Sequence, residues 1–249
     1  MGATLIASNK VTMDVLSDIV IPNKTHSYVP VSHVDFISNT KNIADRILDK
    51  HQLYSAQYGI ARDGKQMFGT LTYKESFHDE PQDIGLSIGI RNSYDKSMSL
   101  GLCSGASVFV CENLMMTGEV VVMRMHKGNI IDELKGLIFN ALLKAEDKFT
   151  TIHADSQQLK HHTLEDNTIA YNLMGRLYGY GVVTERQLPV MKREWQSPTH
   201  DVFKERTAWS FFNAGTEALK TTPPMHKMKR HLKMHRMIVG DFLLPRTMA

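Results

Sequence analysis

Five strand-like segments follow one another in the first half of the chain, and this succession most constrains the fold. They are residues 53–61, 66–73, 84–91, 98–111 and 119–126. The first two are rich in Tyr, Phe, Thr and Ile and flank Asp63-Gly64, a dipeptide typical of two-residue hairpin turns. No helical pattern separates the five segments, so the sequence predicts an antiparallel, meandering β-sheet of about five strands.

Helical spacing of apolar residues marks the segments on either side of these strands. Residues 32–50 form one such segment, with Ser32 as a capping residue, and the others are residues 129–149, 164–178 and 201–220. A run of strands followed by a run of helices is typical of α+β proteins. We therefore predict an α+β fold in which the C-terminal helices cover the sheet.

The domain organisation follows from length and from the placement of prolines. A chain of 249 residues is long enough to bury a core within one domain. Pro22 and Pro30 disfavour helix in the residues before them, so we expect residues 1–30 to be an extended lead-in. Residues 31–222 are predicted to form a single α+β domain, and residues 223–249 a basic amphipathic C-terminal segment.

Hydropathy and cysteine usage limit the compartment. No run approaches the roughly 18 to 20 apolar residues that a membrane-spanning helix requires, and residues 1–10 lack the pattern of a secretory signal. The two cysteines, Cys103 and Cys111, have the spacing of neither a metal site nor a disulfide framework. We expect a cytoplasmic protein with no membrane partner, in which both thiols are reduced, buried and unpaired.

Three strings in the sequence are recognisable. The longest, IGIRNSYDKSMSLGLCSGASVFVCENLMMTGE, begins at Ile88, while THSYVPVSH covers residues 25–33 and TAWSFFNAGTEALK covers residues 207–220. They resemble the phage- and plasmid-borne proteins grouped as domain of unknown function 932. The resemblance implies a single domain of mobile-element origin, and it brings no catalytic residue because the family has no settled activity.

The polar segment of residues 91–97 has two interpretations. Arg91, Asn92, Ser93, Asp95 and Lys96 are residue types that β-turns collect, so the segment fits a hydrogen-bonded turn at the edge of the sheet. Alternatively, Arg91 and Lys96 bind a phosphate, which the small residues after them would allow to approach the backbone.

The C-terminal segment is basic throughout. No acidic residue lies between Lys220 and Asp241, and apolar residues recur there at roughly helical spacing. A helix of this kind can pack on the body with a solvated basic face, contact phosphates, or lie on a membrane surface. The candidate phosphate contacts are Lys227, Lys229, Arg230, Lys233 and Arg236.

Motifs of catalysis and metal binding are missing from the sequence. There is no Gly-rich phosphate loop, dinucleotide-binding pattern, nucleophile-elbow serine or zinc ribbon. His231 and His235 have the i, i+4 spacing of metal ligands, but no third ligand lies near them in sequence. We therefore expect no catalytic residue, no metal and no cofactor, although a metal-dependent nuclease with ligands from dispersed strands stays an alternative.

The function that these patterns favour is non-catalytic binding of nucleic acid. We expect a phage or plasmid protein that binds or anneals single-stranded DNA in replication or recombination, with Tyr54, Tyr58, Phe68 and Tyr73 as candidates for base stacking. An anti-defence or regulatory protein that binds a host protein is the alternative from another class. Self-association into a homo-oligomer is expected as well, because a meander leaves two sheet edges.

Overall fold

Most strands of this chain precede most of its helices. The computed structural model describes residues 10–76, 83–109, 113–115 and 120–242. The strands are β1 (Lys10–Val11), β2 (His51–Ala61), β3 (Gln66–Glu75), β4 (Ile84–Ser93), β5 (Leu100–Val108), β6 (Asn113–Met115) and β7 (Val120–Arg124). The helices are α1 (Met13–Ser17), α2 (His33–Ile47), α3 (Ile130–His161), α4 (Asn167–Gly179), α5 (Leu188–Gln196), α6 (Ala208–Leu219) and α7 (Pro224–Phe242).

The sheet is antiparallel between every pair of neighbouring strands. Its order is β1-β2-β3-β4-β5-β6, and β7 also pairs with β5. β6 lies beside the last residues of β5, from Ala106 to Val108, whereas β7 lies beside the first, from Leu100 to Cys103. The predicted α+β fold with an antiparallel meander is confirmed. The strand expected to continue to residue 111 ends at Val108.

The β2–β3 hairpin has a longer turn than Asp63-Gly64 predicted. Ala61 pairs with Gln66, so four residues form the loop. Arg62, Asp63 and Gly64 adopt φ of 51°, 54° and 82°, three consecutive left-handed residues. At Gly64 a Cβ would also lie 2.8 Å from the Cδ1 atom of Ile19, so both conformation and space favour glycine there.

Side-chain caps fix the start of several helices. The hydroxyl of Ser32 accepts a hydrogen bond from the Asp35 amide at the start of α2, and the Asp166 carboxylate does the same for Thr168 at α4. α3 runs to His161, beyond the predicted end at residue 149, because its buried positions continue through Ile152 and Ser156 to Leu159. The sequence did not predict α1 or α5.

One hydrophobic core joins the sheet to the helices. Alternate residues of β4, including Leu86 and Ile88, are fully buried, and they share a cluster with Ile138 and Leu142 of α3. Cys103 lies in β5, buried and free, as predicted, and burial raises its pKa to about 12. Cys111 lies outside the described residues. Within the part of the chain that the structure describes, no helix is long and apolar enough to cross a membrane.

Candidate nucleic-acid interface

The basic C-terminal segment is the helix α7, and one of its faces is part of the core. Met228, Met234 and Ile238 are almost completely buried. His231 and His235 are buried on the same side, and the Nε2 atom of His235 lies 3.3 Å from Oδ2 of Asp155 in α3. α7 is therefore anchored on the body by both apolar and polar contacts.

The opposite face of α7 is exposed and basic. His226, Lys229, Lys233 and Arg236 are exposed and follow one another at intervals of three, four and three residues. These intervals place them on a single face of the helix. Seven residues at a rise of 1.5 Å separate Lys229 from Arg236, so the three cations extend over about 10 Å. The exposed face made by these four residues is called the α7 basic face below.

An exposed aromatic side chain lies beside the α7 basic face. Tyr180, the residue that follows α4, is 60% exposed, and the Lys233 ammonium lies 5.6 Å from the centre of its ring. The same ammonium donates a hydrogen bond of 2.6 Å to the Tyr180 carbonyl oxygen. Tyr178, 47% exposed, is close in sequence. Cationic and aromatic groups thus meet on the surface, the combination that single-strand binding surfaces use.

The sequence patterns did not single out Tyr180, which lies just after the helical segment predicted for residues 164–178 and between Gly179 and Gly181. Gly181 has φ of 68°, and Tyr180 donates its backbone N–H to the Arg176 carbonyl oxygen. An aromatic residue between two glycines on a connecting loop is itself a signal, since loops carry many binding residues.

Two of the five predicted cations of α7, Lys227 and Arg230, are wholly or partly buried against the protein body, whereas Lys233 is exposed although it is bonded to Tyr180. Lys227 is only 2% exposed and donates a hydrogen bond of 2.8 Å to the carbonyl oxygen of Lys220, at the C-terminal end of α6. Burial, with a smaller contribution from the Lys220 charge, lowers the pKa of Lys227 to about 8. Arg230, half-buried, donates to Oε1 of Gln187. Of the predicted phosphate contacts on α7, Lys229, Lys233 and Arg236 therefore lie at the surface.

The polar segment after β4 is a hydrogen-bonded turn that fastens the start of α2 to the sheet. Asn92 and Ser93 are completely buried. The Nδ2 atom of Asn92 donates to the Val31 carbonyl oxygen at 2.7 Å and lies 2.9 Å from Nδ1 of His33. Ser93 closes the turn by donating to the Met98 carbonyl oxygen and accepting from the Met98 amide.

Asp95 fixes the tip of the same turn. Its carboxylate accepts hydrogen bonds from the amide and the hydroxyl of Ser97, and from Nη1 of Arg62 in the β2–β3 loop at 3.1 Å. Burial opposes these contacts, but the bonds from Ser97 and Arg62 lower the pKa of Asp95 overall. Ser93, Asp95 and Ser97 thus stabilise the turn itself, whereas Asn92 and Tyr94 contact the start of α2.

Arg91 and Lys96 have different surroundings. Arg91 lies within β4, opposite Phe68 and Gly101 in the register, and burial lowers its pKa. Lys96 lies in the turn, exposed, with φ of 62°, and its ammonium is 5.0 Å from the centre of the Tyr28 ring. Arg91 is therefore a half-buried strand residue, and Lys96 is an exposed turn residue.

The length of α3 separates the turn from α7. β7, which leads into α3, pairs with the start of β5, and that start follows the turn containing Lys96. Asp155 of α3 contacts His235 of α7. Twenty-five residues lie between Ile130 and Asp155, which corresponds to about 37 Å along the helix axis. The cations predicted as one set therefore fall into two regions at different levels of α3.

Three of the four aromatic residues expected to stack bases are in the interior. Tyr58, Phe68 and Tyr73 are buried. Tyr54 is 62% exposed and its ring meets that of Phe109 edge to face at 5.0 Å. The β2–β3 hairpin thus presents one exposed aromatic side chain of the four, and it lies on a different element from the α7 basic face.

The histidines form no metal site among the described residues, where no group of three or more His, Cys, Asp and Glu side chains is arranged to hold an ion. His231 and His235 share the buried side of α7, as their i, i+4 spacing requires. Their role in this structure is to pack α7 against the body.

Comparison with known proteins identifies a family. The model of a family described as a domain of unknown function, DUF932, matches residues 24–238, which include the turn, the α7 basic face and Tyr180. No curated protein and no solved structure matches the chain.

Proposed function

This chain belongs to the family described as a domain of unknown function, DUF932, and we propose that it is a non-catalytic nucleic-acid-binding protein whose α7 basic face contacts a single strand. The family description assigns no activity, so the proposal rests on α7. The observation that carries it is the alignment of Lys229, Lys233 and Arg236 on one exposed face, beside Tyr180. We place this activity in the cytoplasm, where single-stranded DNA arises during phage or plasmid replication and recombination.

Phosphate spacing supports the assignment of the cations. A stacked strand has one phosphate per 3.4 Å, so about 10 Å of helix faces roughly three nucleotides. Each ammonium or guanidinium that neutralises a phosphate releases a condensed counterion, which makes the affinity depend on salt. Contacts of this kind position a strand without reading its bases.

Tyr180 supports a single strand over a duplex. An exposed tyrosine ring offers a face on which an unpaired base can stack, whereas bases within a duplex are already stacked on each other. Lys233 holds the loop against α7 through the Tyr180 carbonyl oxygen, so the ring and the cations keep a fixed relation.

The test is a salt series with a labelled single-stranded oligonucleotide. Replacing Lys229, Lys233 and Arg236 together by Gln removes three phosphate contacts. The magnitude of the log-log salt slope should fall by about 2, at roughly 0.7 per contact, and by a similar amount for oligonucleotides of different sequence. Fluorescence anisotropy between low and moderate salt measures the slope.

A matched control replaces exposed cations elsewhere, Arg46, Lys135 and Lys144, by Gln, which removes the same charge. This control should keep the wild-type slope. If both triple variants lower the slope equally, net charge and not the α7 basic face determines binding. Absence of affinity for DNA in the wild-type protein at low salt would contradict the proposal and leave the binding of a host protein as the alternative.

Tyr180 gives a second, independent test. Tyr180→Leu removes the ring and should weaken single-strand binding by about tenfold, since stacking of one base contributes roughly 1–3 kcal/mol. Tyr180→Phe keeps the ring and should bind as the wild type does. Both variants should leave the salt slope unchanged, because neither alters a charge. Equal affinity of the Leu and Phe variants would exclude stacking at this position.

A further inference from the structure

A second surface feature, separate from α7, lies beside the turn that follows β4. It is a pocket of about 150 Å³ between this turn, the loop after β7 and the lead-in. We call it the turn pocket. The lining residues used in the argument are Tyr28, Lys96, Met98, Met125, His126 and Lys127.

His126 is a buried polar residue that lines the turn pocket. It is only 4% exposed, and neither of its ring nitrogens makes a well-formed hydrogen bond among the described residues, although the Val29 backbone lies close enough to oppose the lowering of its pKa. Its ring lies 5.3 Å from that of Tyr28, and its carbonyl oxygen accepts from the Val29 amide. Burial lowers the pKa of His126, so at neutral pH the imidazole is uncharged and offers one donor and one acceptor. Buried polar groups are rarely left without a partner.

Lys96 holds a backbone conformation that lysine disfavours. Its φ of 62° is left-handed, where glycine and asparagine are far more common. Strain of this kind, roughly 1–3 kcal/mol, persists mainly where a side chain has a task. Here the conformation accompanies an ammonium placed over the Tyr28 ring, at the edge of the turn pocket.

Lys127 supplies a second cation to the turn pocket. It is exposed and follows His126 directly, and its amide donates to the Met125 carbonyl oxygen in a tight turn. Two ammonium groups from separate loops therefore border one pocket, and no acidic residue is among its lining residues.

The size and the walls of the turn pocket fit a planar ring. A cavity of about 150 Å³ accommodates benzene, so the volume of the turn pocket matches that of one six-membered ring. Tyr28, Met98 and Met125 provide aromatic and thioether contacts, which suit the face of a heterocycle. His126 can pair with the donors and acceptors at the edge of such a ring.

We propose that the turn pocket binds a pyrimidine nucleotide, with the base against His126 and Tyr28 and the phosphate on Lys96 and Lys127. The nucleotide is either free or part of a strand. This site is additional to the α7 basic face and does not depend on it, because the lining residues come from other elements.

The experiment compares free dCMP with a short oligo-dC by calorimetry, using the full chain. The variant Lys96→Asn with Lys127→Gln should weaken both ligands by at least about tenfold, since two charge-assisted hydrogen bonds are lost. Asparagine tolerates the left-handed conformation, so this variant should fold at least as well as the wild type. The control, Lys50→Gln with Lys144→Gln, should bind as the wild type does.

Further measurements separate the base from the phosphate. His126→Phe keeps a buried ring but removes both nitrogens, and it should weaken dCMP while leaving the weaker binding of inorganic phosphate unchanged. dAMP should bind less tightly than dCMP. The source of the nucleotide is assigned in the variant in which Lys229, Lys233 and Arg236 are Gln, because the α7 basic face no longer contributes to oligonucleotide binding there. Binding of dCMP and not of oligo-dC by that variant assigns a free nucleotide, whereas binding of oligo-dC and not of dCMP assigns a nucleotide within a strand.

The proposal is overturned if neither ligand binds saturably at millimolar concentration, or if the Lys96/Lys127 variant binds both as the wild type does. Equal affinity for dAMP and dCMP overturns the assignment of a pyrimidine. The variants of the α7 basic face should retain dCMP binding, so failure of this inference and failure of the proposed function give different results.

Discussion

At the scale of single residues, His33 connects the two strings that made the N-terminal half recognisable. It is completely buried, and its ring stacks on that of Tyr94 at a centroid distance of 3.8 Å. Nε2 lies 3.0 Å from the Gly64 carbonyl oxygen, which can only accept, so Nε2 carries the proton. Nδ1 accepts from the amide of Asn92. Both nitrogens are therefore satisfied only when the ring is neutral.

This network predicts that acid destabilises the fold. Burial lowers the pKa of His33 from 6.5 to about 4. Between pH 6.5 and 4 this histidine binds a proton in the unfolded chain but not in the folded chain. Its contribution to the free energy of unfolding is therefore complete above pH 6.5 and is lost as the pH falls towards 4. The loss reaches roughly 3 kcal/mol. Urea unfolding at a series of pH values measures it.

The control for this prediction is His33→Gln, which can still donate to Gly64 but does not titrate. Its unfolding free energy should depend less on pH between 6.5 and 4 than that of the wild type. Some dependence should persist, because burial also lowers the pKa of His126. Identical pH dependence in the two proteins would show that His33 is not the titrating group.

Which residues take part in this network could not be predicted from the sequence. Asn92 and Ser93 are turn formers in any context, and the sequence correctly suggested a turn. The hydrogen bond between this turn and His33, 59 residues earlier, depends on where the start of α2 lies relative to the sheet. Short polar side chains indicate local conformation, whereas their distant partners are set by tertiary packing.

At the scale of elements, α7 shows that the periodicity of apolar residues predicts a helix but not which of its faces is buried. The helix itself followed from apolar spacing, with Met225, Met228, Leu232 and Val239 as the expected stripe. Met228 is buried as expected, but the other buried apolar residues are Met234 and Ile238, with Lys227 on the same side, while Leu232 and Val239 are half-buried. A Met-rich basic segment contains more than one apolar stripe. The buried stripe is the one whose polar residues form hydrogen bonds with the rest of the protein, as Lys227 does with the Lys220 carbonyl oxygen.

The crossing of α6 and α7 predicts a coupling between two residues. A Cβ on Gly215 of α6 would lie 2.7 Å from the Sδ atom of Met234, which is fully buried. Met234→Ala should lower the free energy of unfolding by about 2–5 kcal/mol. Gly215→Ala should be stabilising by about 1 kcal/mol in that background, from helix propensity, because the clash with Met234 is gone and the remaining close atom, Cε of Met191 at 3.3 Å, ends a flexible side chain.

In the wild-type background the same Gly215→Ala change should be neutral or destabilising, since the methyl group displaces Met234. Chemical denaturation of the two single variants and the double variant measures the coupling. Additivity within about 0.5 kcal/mol would mean that the two residues do not share this space.

At the scale of the whole molecule, the sequence predicted the sheet better than the site. Hairpins join neighbours in sequence, so strand segments and turn residues determine the meander. That β6 and β7 share one edge of β5 depends on contacts across the sheet, and so does the separation of Lys96 from the α7 basic face along α3. A charge pattern gives the number of cations but not their grouping in space.

One face of α7 belongs to the core and the other is exposed, and this has a consequence for the search for ligands. The helix that presents Lys229, Lys233 and Arg236 also supplies Met234 and Ile238 to the core, so a ligand that requires these cations aligned on one face binds the folded chain more tightly than the unfolded one. Binding and folding are then thermodynamically linked. A ligand at a hundred times its dissociation constant raises stability by about 2.7 kcal/mol. The melting temperature thus becomes a general detector of ligands, with which nucleotides, oligonucleotides and other polyanions can be ranked without assuming any reaction.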